Sequence, residues 1–333
     1  MTRYRSIAVM LPLLLLVAAM TGCTGMRFVV DLIPAENELD ETMVLKDGGP
    51  GTRPNHKVAL IDVNGLLADA DRSSVLGDGE NPVASLAESL ERARQDNRVR
   101  AVVIRLNSPG GTVTASDVMY REVQAFRAET GKPVVMLMGD VAASGAMYLA
   151  CAGDSIIAHP TSITGSIGVI MQLFDVSDGM RRLGISSNAI TSGPNKDMGS
   201  PFDTMEDSHR ALFQDMVDEF YGSFRTIVTD NRPDLAESDL GWVTDGRVVT
   251  GRRAAEIGLV DKTGDLRDAF AEAKTLAGID AARLMKYHRT LDYVGSAYAS
   301  APVPLQINMI NVDVSGVTAR QPGFLYVWDP SVW

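Results

Sequence analysis

Residues Gly139 to Ala150 read G-D-V-A-A-S-G-A-M-Y-L-A and follow an apolar strand predicted over Pro133 to Met138. Met147 to Cys151 continue as a predicted helix, so Ser144 falls at the turn between strand and helix. Backbone N–H groups in the first helical turn have no acceptor within the helix, and the helix dipole places partial positive charge there. Such a turn can expose a nucleophile and stabilise an oxyanion. A serine that only caps the helix explains the same residues.

The chain before this turn alternates strand and helix signals. Val58 to Val63 is a short apolar run that ends at Asn64-Gly65, which predicts a buried strand and a turn. Asn81-Pro82 starts a predicted helix, a strand follows near Val102 to Leu106, and another helix covers about residues 116–128. This order predicts an α/β fold in which helices wrap a parallel sheet.

The chain after the turn continues the pattern less regularly. Predicted elements are a strand at residues 155–158, a helix at 173–183, an extended segment at 187–191, a helix at 205–229, a Thr250-capped helix and a helix at 266–277. The helix at 205–229 carries an apolar stripe that we assign to the core, formed by Leu212, Met216, Phe220 and Phe224. Residues after Ala281 show no clean period.

Composition restricts the class of protein. The chain has 333 residues, 45% of them hydrophobic, which is enough for one large or two smaller globular domains. A net charge of −11 without a basic cluster argues against nucleic-acid binding. Cys23 and Cys151 are the two cysteines, so no internal disulfide framework can be inferred.

The N-terminus has the layout of a secretory signal. Arg3 and Arg5 precede an apolar run from Ile7 to Met20, and Gly22-Cys23 after small residues resembles a bacterial lipobox in which the cysteine is lipidated. An uncleaved membrane anchor is the alternative. Both place the protein outside the cytoplasm, anchored to a membrane. We therefore divide the chain into a signal (1–23), a membrane-proximal spacer (24–56), a domain (57–280) and a C-terminal extension (281–333).

A serine nucleophile needs a base and oxyanion donors. His56, His159, His209 and His288 are the histidines, and none lies in a catalytic context. Lys196, in the loop Ser192 to Asp197, is the better candidate base, with Ser166 to hold its amine. It must be neutral to act, which burial favours, although an ordinary solvated lysine fits the loop equally well. Gly110 and Gly111 after Pro109 permit close backbone approach to a substrate.

Five short motifs occur in order and together resemble the signal peptide peptidase A (SppA) family of serine proteases. They are N-S-P-G-G at Asn107 to Gly111, A-A-S-G at Ala142 to Gly145, T-G-S-I-G-V at Thr164 to Val169, S-G-x-x-K-D at Ser192 to Asp197 and G-L-V-D at Gly258 to Asp261. Each motif is weak alone, but five in sequence over about residues 57–277 form a specific pattern.

The resemblance implies a fold of the Clp protease and crotonase type, built from repeated strand-strand-helix turns. It implies Ser144 as nucleophile, Lys196 as general base and Ser166 as the hydroxyl that orients the lysine. The N–H groups of Gly145 and Gly111 would bind the oxyanion. The resemblance also implies a ring-like homo-oligomer in which serine and lysine come from neighbouring subunits, since this chain has one such domain where double-length members have two.

We therefore expect a membrane-tethered serine endopeptidase outside the cytoplasm that cleaves unfolded apolar peptides such as released signal peptides, without a metal or organic cofactor. A non-catalytic lipoprotein that uses the same fold as an oligomeric scaffold or peptide-binding module is the alternative. An acyl-CoA enzyme on the crotonase scaffold fits poorly, because CoA is cytoplasmic and this chain carries an export signal.

Overall fold

A computed structural model describes residues 39–48, 51, 53–70, 72–74, 77–289, 296–299 and 323–328. The predicted signal and lipidation site at Cys23 lie outside these residues. Within the described ranges, every helix is too short or too polar to cross a bilayer.

The described strands and helices follow the alternation that the sequence predicts. The strands are β1 (Leu39–Lys46), β2 (His56–Asn64), β3 (Arg72–Ser74), β4 (Gly77–Gly79), β5 (Val99–Ser108), β6 (Gly110–Thr112), β7 (Val134–Ala143), β8 (Ser155–Ala158), β9 (Ile163–Gly165), β10 (Ile170–Met171), β11 (Val248–Thr250), β12 (Lys262–Thr263), β13 (Ala282–Arg289) and β14 (Phe324–Val327). The helices are α1 (Pro82–Gln95), α2 (Val113–Thr130), α3 (Gly145–Ala150), α4 (Ser177–Arg182), α5 (Asp207–Asn231), α6 (Glu237–Val243), α7 (Gly251–Glu256) and α8 (Leu266–Ala277).

One large sheet organises the described part of the chain. Its order is β1-β13-β2-β5-β7-β8-β12; β9 also pairs with the end of β7, and β11 pairs with β9. The neighbours from β13 to β12 run parallel, whereas β1 is antiparallel to β13. Alternate side chains of each strand enter two apolar layers, one beneath α1 and α2 and one beneath α8. The predicted α/β class and Clp-like fold are confirmed.

Local capping signals fix several helix ends where the sequence places them. The Asn81 side chain accepts from the N–H of Val83 at 2.9 Å, and Pro82 is the first residue of α1. Thr250 caps α7, and Asp265 forms a capping box with Asp268 at the start of α8. The predicted starts of these three helices are therefore confirmed.

The sheet extends beyond the predicted domain at 57–280. β13 begins inside the supposed C-terminal extension and pairs with β2, while β1, inside the supposed spacer, pairs with β13. Both strands carry charged residues among apolar ones. Their charges remain because they are paired: Lys57 of β2 is 2% exposed and bonds to Glu41 of β1 and to Asp96.

Three predictions after the serine turn differ from the structure. The predicted helix at 173–183 is helical only from Ser177 to Arg182, and residues 187–191 are not a strand. The apolar stripe of α5 is not wholly core: Phe224 is buried, but Leu212 and Met216 are 39% and 37% exposed. The face of α5 that carries Leu212 and Met216 is therefore exposed in the single chain.

A small second sheet crosses the end of the main one. Its order is β10-β14-β6, with β14 antiparallel to both neighbours. Strand β6 contains Gly110 and Gly111, so this sheet brings the C-terminal segment next to the N-S-P-G-G motif.

Candidate active site

Ser144 lies at the junction of β7 and α3, as the sequence predicts. It is 1% exposed, and its backbone has φ 53° and ψ −115°, a conformation that residues other than glycine rarely adopt. The N–H of Ser144 donates to the Gly165 carbonyl at 2.8 Å, which fixes the turn. Its side chain does not cap the helix, and its Oγ has no hydrogen-bond partner. The helix-cap explanation of this serine is therefore wrong.

Ser166 is brought beside Ser144 by strand pairing. β7 and β9 are parallel, with Ala143 opposite Gly165, so the two serines follow at the same end of adjacent strands. Ser166 also has a positive φ, 51°, and is 7% exposed. Two strained serines side by side make this sheet end the candidate functional site.

The three predicted glycines also converge here. A Cβ added to Gly145 would lie 3.2 Å from the Gly111 nitrogen, and one added to Gly110 would lie 2.7 Å from the Gly145 nitrogen. Any side chain at Gly111 would overlap the backbone of Leu67. The backbone nitrogens of Gly111 and Gly145 therefore lie close together beside Ser144, and this close approach is possible only because these positions lack side chains.

Lys196, the predicted base, is not brought to Ser144 within the single chain. Lys196 lies in a turn, where its N–H donates to the Gly193 carbonyl at 3.2 Å, and its side chain is exposed. The Ser144 Oγ has no hydrogen-bond partner, so Lys196 does not reach it. His209 of α5 holds this loop, since its Nε2 lies 3.3 Å from the Pro194 carbonyl oxygen.

The side chains of His159 and His288 form hydrogen bonds with threonine hydroxyls and not with Ser144. The Nδ1 of His159 pairs with the Thr161 hydroxyl at 2.7 Å, and the Nε2 of His288 pairs with the Thr42 hydroxyl at 2.9 Å. His56 is the first residue of β2 and not part of a spacer. Among the described residues, no group of histidine, cysteine and acidic side chains could hold a metal ion. Burial raises the pKa of the Cys151 thiol to about 12, so this cysteine is not a thiolate nucleophile.

Sequence reasoning missed an aromatic pocket next to the serine. Tyr148 of α3, Phe224 of α5 and Tyr326 of β14 are buried together, with the Tyr326 ring 5.4 Å from the Tyr148 ring and 4.7 Å from that of Phe224. The Tyr148 hydroxyl donates to Asp117 at 2.8 Å, and the Tyr326 hydroxyl donates to the Phe220 carbonyl at 2.9 Å. Burial raises the pKa of both tyrosines, so both remain neutral donors.

The position of Tyr148 four residues after Ser144 was an available signal, because one helical turn places it on the wall of the site. Tyr326 gave no such signal, since it is 182 residues farther along the chain than Ser144.

Comparisons with known proteins agree with this geometry. The model of Peptidase family S49 matches residues 126–280. Over 229 residues the chain is 34% identical to slr0021 of Synechocystis sp., whose name describes it as a protease; the match covers 69% of this chain and 77% of that protein. It is 35% identical to Protease 4 of Salmonella typhi over 254 residues, covering 76% of this chain. It is 32% identical to the chloroplastic serine protease SPPA of Arabidopsis thaliana over 241 residues, covering 72% of this chain.

Two of these relatives are much longer proteins. The match spans 38% of the Salmonella protein and 34% of the Arabidopsis protein. The resemblance of the five motifs is nevertheless confirmed by identity over most of this chain and of the Synechocystis protein. The chain belongs to peptidase family S49, the family of signal peptide peptidase A.

Proposed function

We propose that this protein is a serine endopeptidase in which Ser144 of one subunit and Lys196 of a neighbouring subunit form the catalytic pair. Ser144 attacks the peptide carbonyl, and Lys196 takes the hydroxyl proton and then transfers it to the leaving amine. The N–H groups of Gly111 and Gly145 bind the oxyanion of the tetrahedral intermediate. Water then hydrolyses the acyl-enzyme. Neither a metal nor an organic cofactor takes part.

One observation carries this proposal. The Ser144 hydroxyl is buried, held by a strained backbone and left without a hydrogen-bond partner, next to the closely spaced backbone nitrogens of Gly111 and Gly145. An unpaired buried hydroxyl costs stability, typically about 1–3 kcal/mol. A site that keeps such a group, in a chain of a peptidase family, is best explained by reaction with a substrate and a base that are absent from the single chain.

A neighbouring subunit would supply the base and cover the exposed apolar residues around it. Lys196 lies in the loop that bonds to His209 of α5, and the segments before and after this loop expose Ile190, Phe202, Leu212 and Met216. A patch of this kind marks a protein interface. Burial of the lysine amine in that interface disfavours its ammonium form, and Ser166, beside Ser144, is placed to accept or donate a hydrogen bond that orients it.

The predicted signal and lipobox place this activity outside the cytoplasm, at a membrane to which Cys23 or an uncleaved anchor holds the chain. Signal peptides released into that membrane are unfolded, apolar segments. β14 pairs with Gly110–Thr112 in the single chain, so an extended peptide substrate would bind along these residues by taking the place of β14.

Peptide hydrolysis by the purified oligomer tests the proposal. Ser144→Ala and Lys196→Ala should each lower kcat by at least about 10³-fold, whereas Lys262→Ala, which removes an exposed lysine paired with Glu272, should leave kcat unchanged. A fluorophosphonate should label the wild type and fail to label Ser144→Ala. Undiminished turnover in Ser144→Ala or Lys196→Ala would refute the assignment of the Ser–Lys pair. An intact oligomer that neither hydrolyses peptides nor reacts with the fluorophosphonate would favour the alternative, a non-catalytic lipoprotein scaffold.

A further inference from the structure

The backbone of Ser166 is held by the strand that lies on the far side of β9 from Ser144. β9 pairs with β7 on one edge and with β11 on the other, where Val248 lies opposite Gly165. The Ser166 N–H donates to the Arg247 carbonyl at 2.6 Å. Because Ser166 has a positive φ, this bond holds a conformation that its side chain opposes. The direction of the Ser166 hydroxyl therefore depends on where the Arg247 carbonyl lies.

The Arg247 side chain is fixed by two partners. Its Nε donates to one oxygen of the Asp245 carboxylate at 2.8 Å, a terminal nitrogen donates to the other oxygen, and its backbone N–H donates to the first at 3.1 Å. One face of the guanidinium lies over the Trp242 ring, with Cζ 4.3 Å from the ring centroid. A planar group that forms two parallel hydrogen bonds and stacks on a ring has few alternative positions. We call Trp242, Asp245 and Arg247 the arginine clamp.

The arginine clamp is anchored in the core at the end of α6. Thr244 is 1% exposed; its hydroxyl donates to the Leu240 carbonyl at 2.8 Å, and its own carbonyl accepts from the Tyr221 hydroxyl of α5 at 2.6 Å. Gly246, with φ 90°, then turns the chain toward Arg247. The clamp is thus connected to buried residues at one end and to β11 at the other.

The clamp segment packs against the residues on both sides of Ser166. A Cβ added to Gly165 would lie 3.0 Å from the Arg247 carbonyl oxygen, and one added to Gly168 would lie 3.5 Å from the Gly246 Cα. The Arg247 side chain is 38% exposed, and an ion pair at that exposure contributes little to the free energy of unfolding. These contacts therefore fix the turn around Ser166 more than they stabilise the domain.

From these contacts we infer that Arg247, held by Asp245 and Trp242, is a positioning residue for peptide hydrolysis. It fixes the backbone of Ser166, whose hydroxyl in turn orients the amine of Lys196. The inference rests on the proposed Ser–Lys pair. In that proposal the lysine enters from a neighbouring subunit, so a hydroxyl already fixed in direction aligns its amine with Ser144. Arg247 itself takes no part in the proton transfer.

Steady-state kinetics of peptide hydrolysis by the purified oligomer test the inference. Arg247→Ala should lower kcat about 10- to 100-fold and leave KM unchanged, because the orientation of the base is lost and substrate binding is not. Trp242→Ala should lower kcat less. Trp242→Phe, which keeps a ring beneath the guanidinium, should recover most of that loss.

Arg253→Ala is the matched control. Arg253 also lies over the Trp242 ring, at 5.5 Å, but it pairs with Asp239 and Glu256, and β11 does not contain it. This variant should keep the kcat of the wild type. An equal loss of kcat in Arg253→Ala and Arg247→Ala would contradict a specific role of Arg247.

A double-variant cycle separates positioning through Ser166 from a general structural effect. If Arg247 acts through Ser166, the double variant Ser166→Ala/Arg247→Ala should be no slower than Ser166→Ala alone. Reductions in kcat that multiply, or a Ser166→Ala variant as active as the wild type, would overturn the inference. Sedimentation velocity checks that each variant assembles, and Asp245→Asn replaces Arg247→Ala if that variant does not.

The same assays distinguish failure of this inference from failure of the proposed function. If Ser144→Ala and Lys196→Ala are inactive while Arg247→Ala matches the wild type, the clamp has no positioning role and the proposed function stands. If Ser144→Ala or Lys196→Ala keeps full activity, the proposed function fails and this inference fails with it.

Discussion

The backbone of Ser144 holds a conformation that its side chain opposes. A positive φ at a residue with a Cβ costs of order 1–3 kcal/mol, and glycine relieves that cost. We therefore predict that Ser144→Gly is more stable than Ser144→Ala by about 1 kcal/mol, although both lack the nucleophile. Urea denaturation of the two variants measures the difference.

Ser116 provides the matched control, because it is a buried serine in the interior of α2, where the backbone is helical. Here Ser116→Gly should be less stable than Ser116→Ala, by about 1 kcal/mol, since glycine disfavours helix. If the Gly variant were less stable than the Ala variant at position 144 as well as at position 116, the backbone of Ser144 would not be strained.

At the residue scale, sequence reasoning found the residues that backbone geometry joins, took Lys196 and its subunit-sharing role from the family resemblance, and missed Tyr326, which is distant along the chain. Ser144, Ser166, Gly111 and Gly145 follow strand ends that a parallel sheet must bring together. Lys196 sits on a surface that one chain leaves exposed, so no pattern within the sequence places it. Tyr326 reaches the site only because β14 inserts between two short strands, which its own composition does not indicate.

At the scale of the secondary-structure elements, β1 is held to the sheet by an ion pair to the buried Lys57 as well as by its backbone pairing with β13. The Lys57 amine, 2% exposed, bonds to Glu41 of β1 and lies 2.8 Å from an Asp96 carboxylate oxygen. Burial acts to raise the pKa of Asp96, but hydrogen bonds from Arg98 and Lys57 outweigh it and hold that pKa well below its usual range. The carboxylate is therefore more stable in the folded chain than in the unfolded chain.

From this we predict that Asp96→Asn lowers the free energy of unfolding by about 1–3 kcal/mol near pH 7. A depressed folded pKa contributes stability above the unfolded value near 3.9, which is lost as pH falls toward the folded value. The difference in free energy of unfolding between Asp96→Asn and the wild type should therefore become smaller below about pH 4. Urea titrations across this range measure it.

Asp178→Asn is the comparison, because the exposed Asp178–Arg181 pair on α4 should contribute less than about 1 kcal/mol at any pH. A constant difference between Asp96→Asn and wild type over the acid range would refute the charge argument.

Element ends were predictable where a side chain caps them and not where the partner is remote. Asn81 and Thr250 mark the starts of their helices in the sequence, and the structure agrees. β1 and β13 were assigned to a spacer and an extension because charged residues interrupt their apolar pattern. Those charges are paired across strands, and pairing of this kind is visible only once the sheet is assembled.

At the scale of the whole molecule, the proposed subunit interface includes Lys196 and the exposed apolar residues near it in sequence. Leu212 and Met216 of α5 are exposed together with Phe202 and Ile190. We predict that Leu212→Glu weakens the oligomer and lowers peptide hydrolysis in proportion, because it places a charge in the contact. Sedimentation velocity and activity assays on the same samples measure both effects.

Leu276→Glu is the matched control. Leu276 of α8 is similarly exposed, at 43%, but lies on the helix that covers the opposite layer of the sheet. This variant should keep both assembly and activity. Loss of assembly in both variants, or in neither, would contradict the placement of the interface on α5.

The central claim is that each active site takes its serine and its lysine from different subunits. The direct measurement mixes Ser144→Ala with Lys196→Ala chains under conditions that exchange subunits. Each variant alone should be inactive, whereas a one-to-one mixture should recover about a quarter of wild-type activity, because a site works only where an intact serine meets an intact lysine from its neighbour. Mixed oligomers that form, as judged by differential tags, and yet remain inactive would contradict the account.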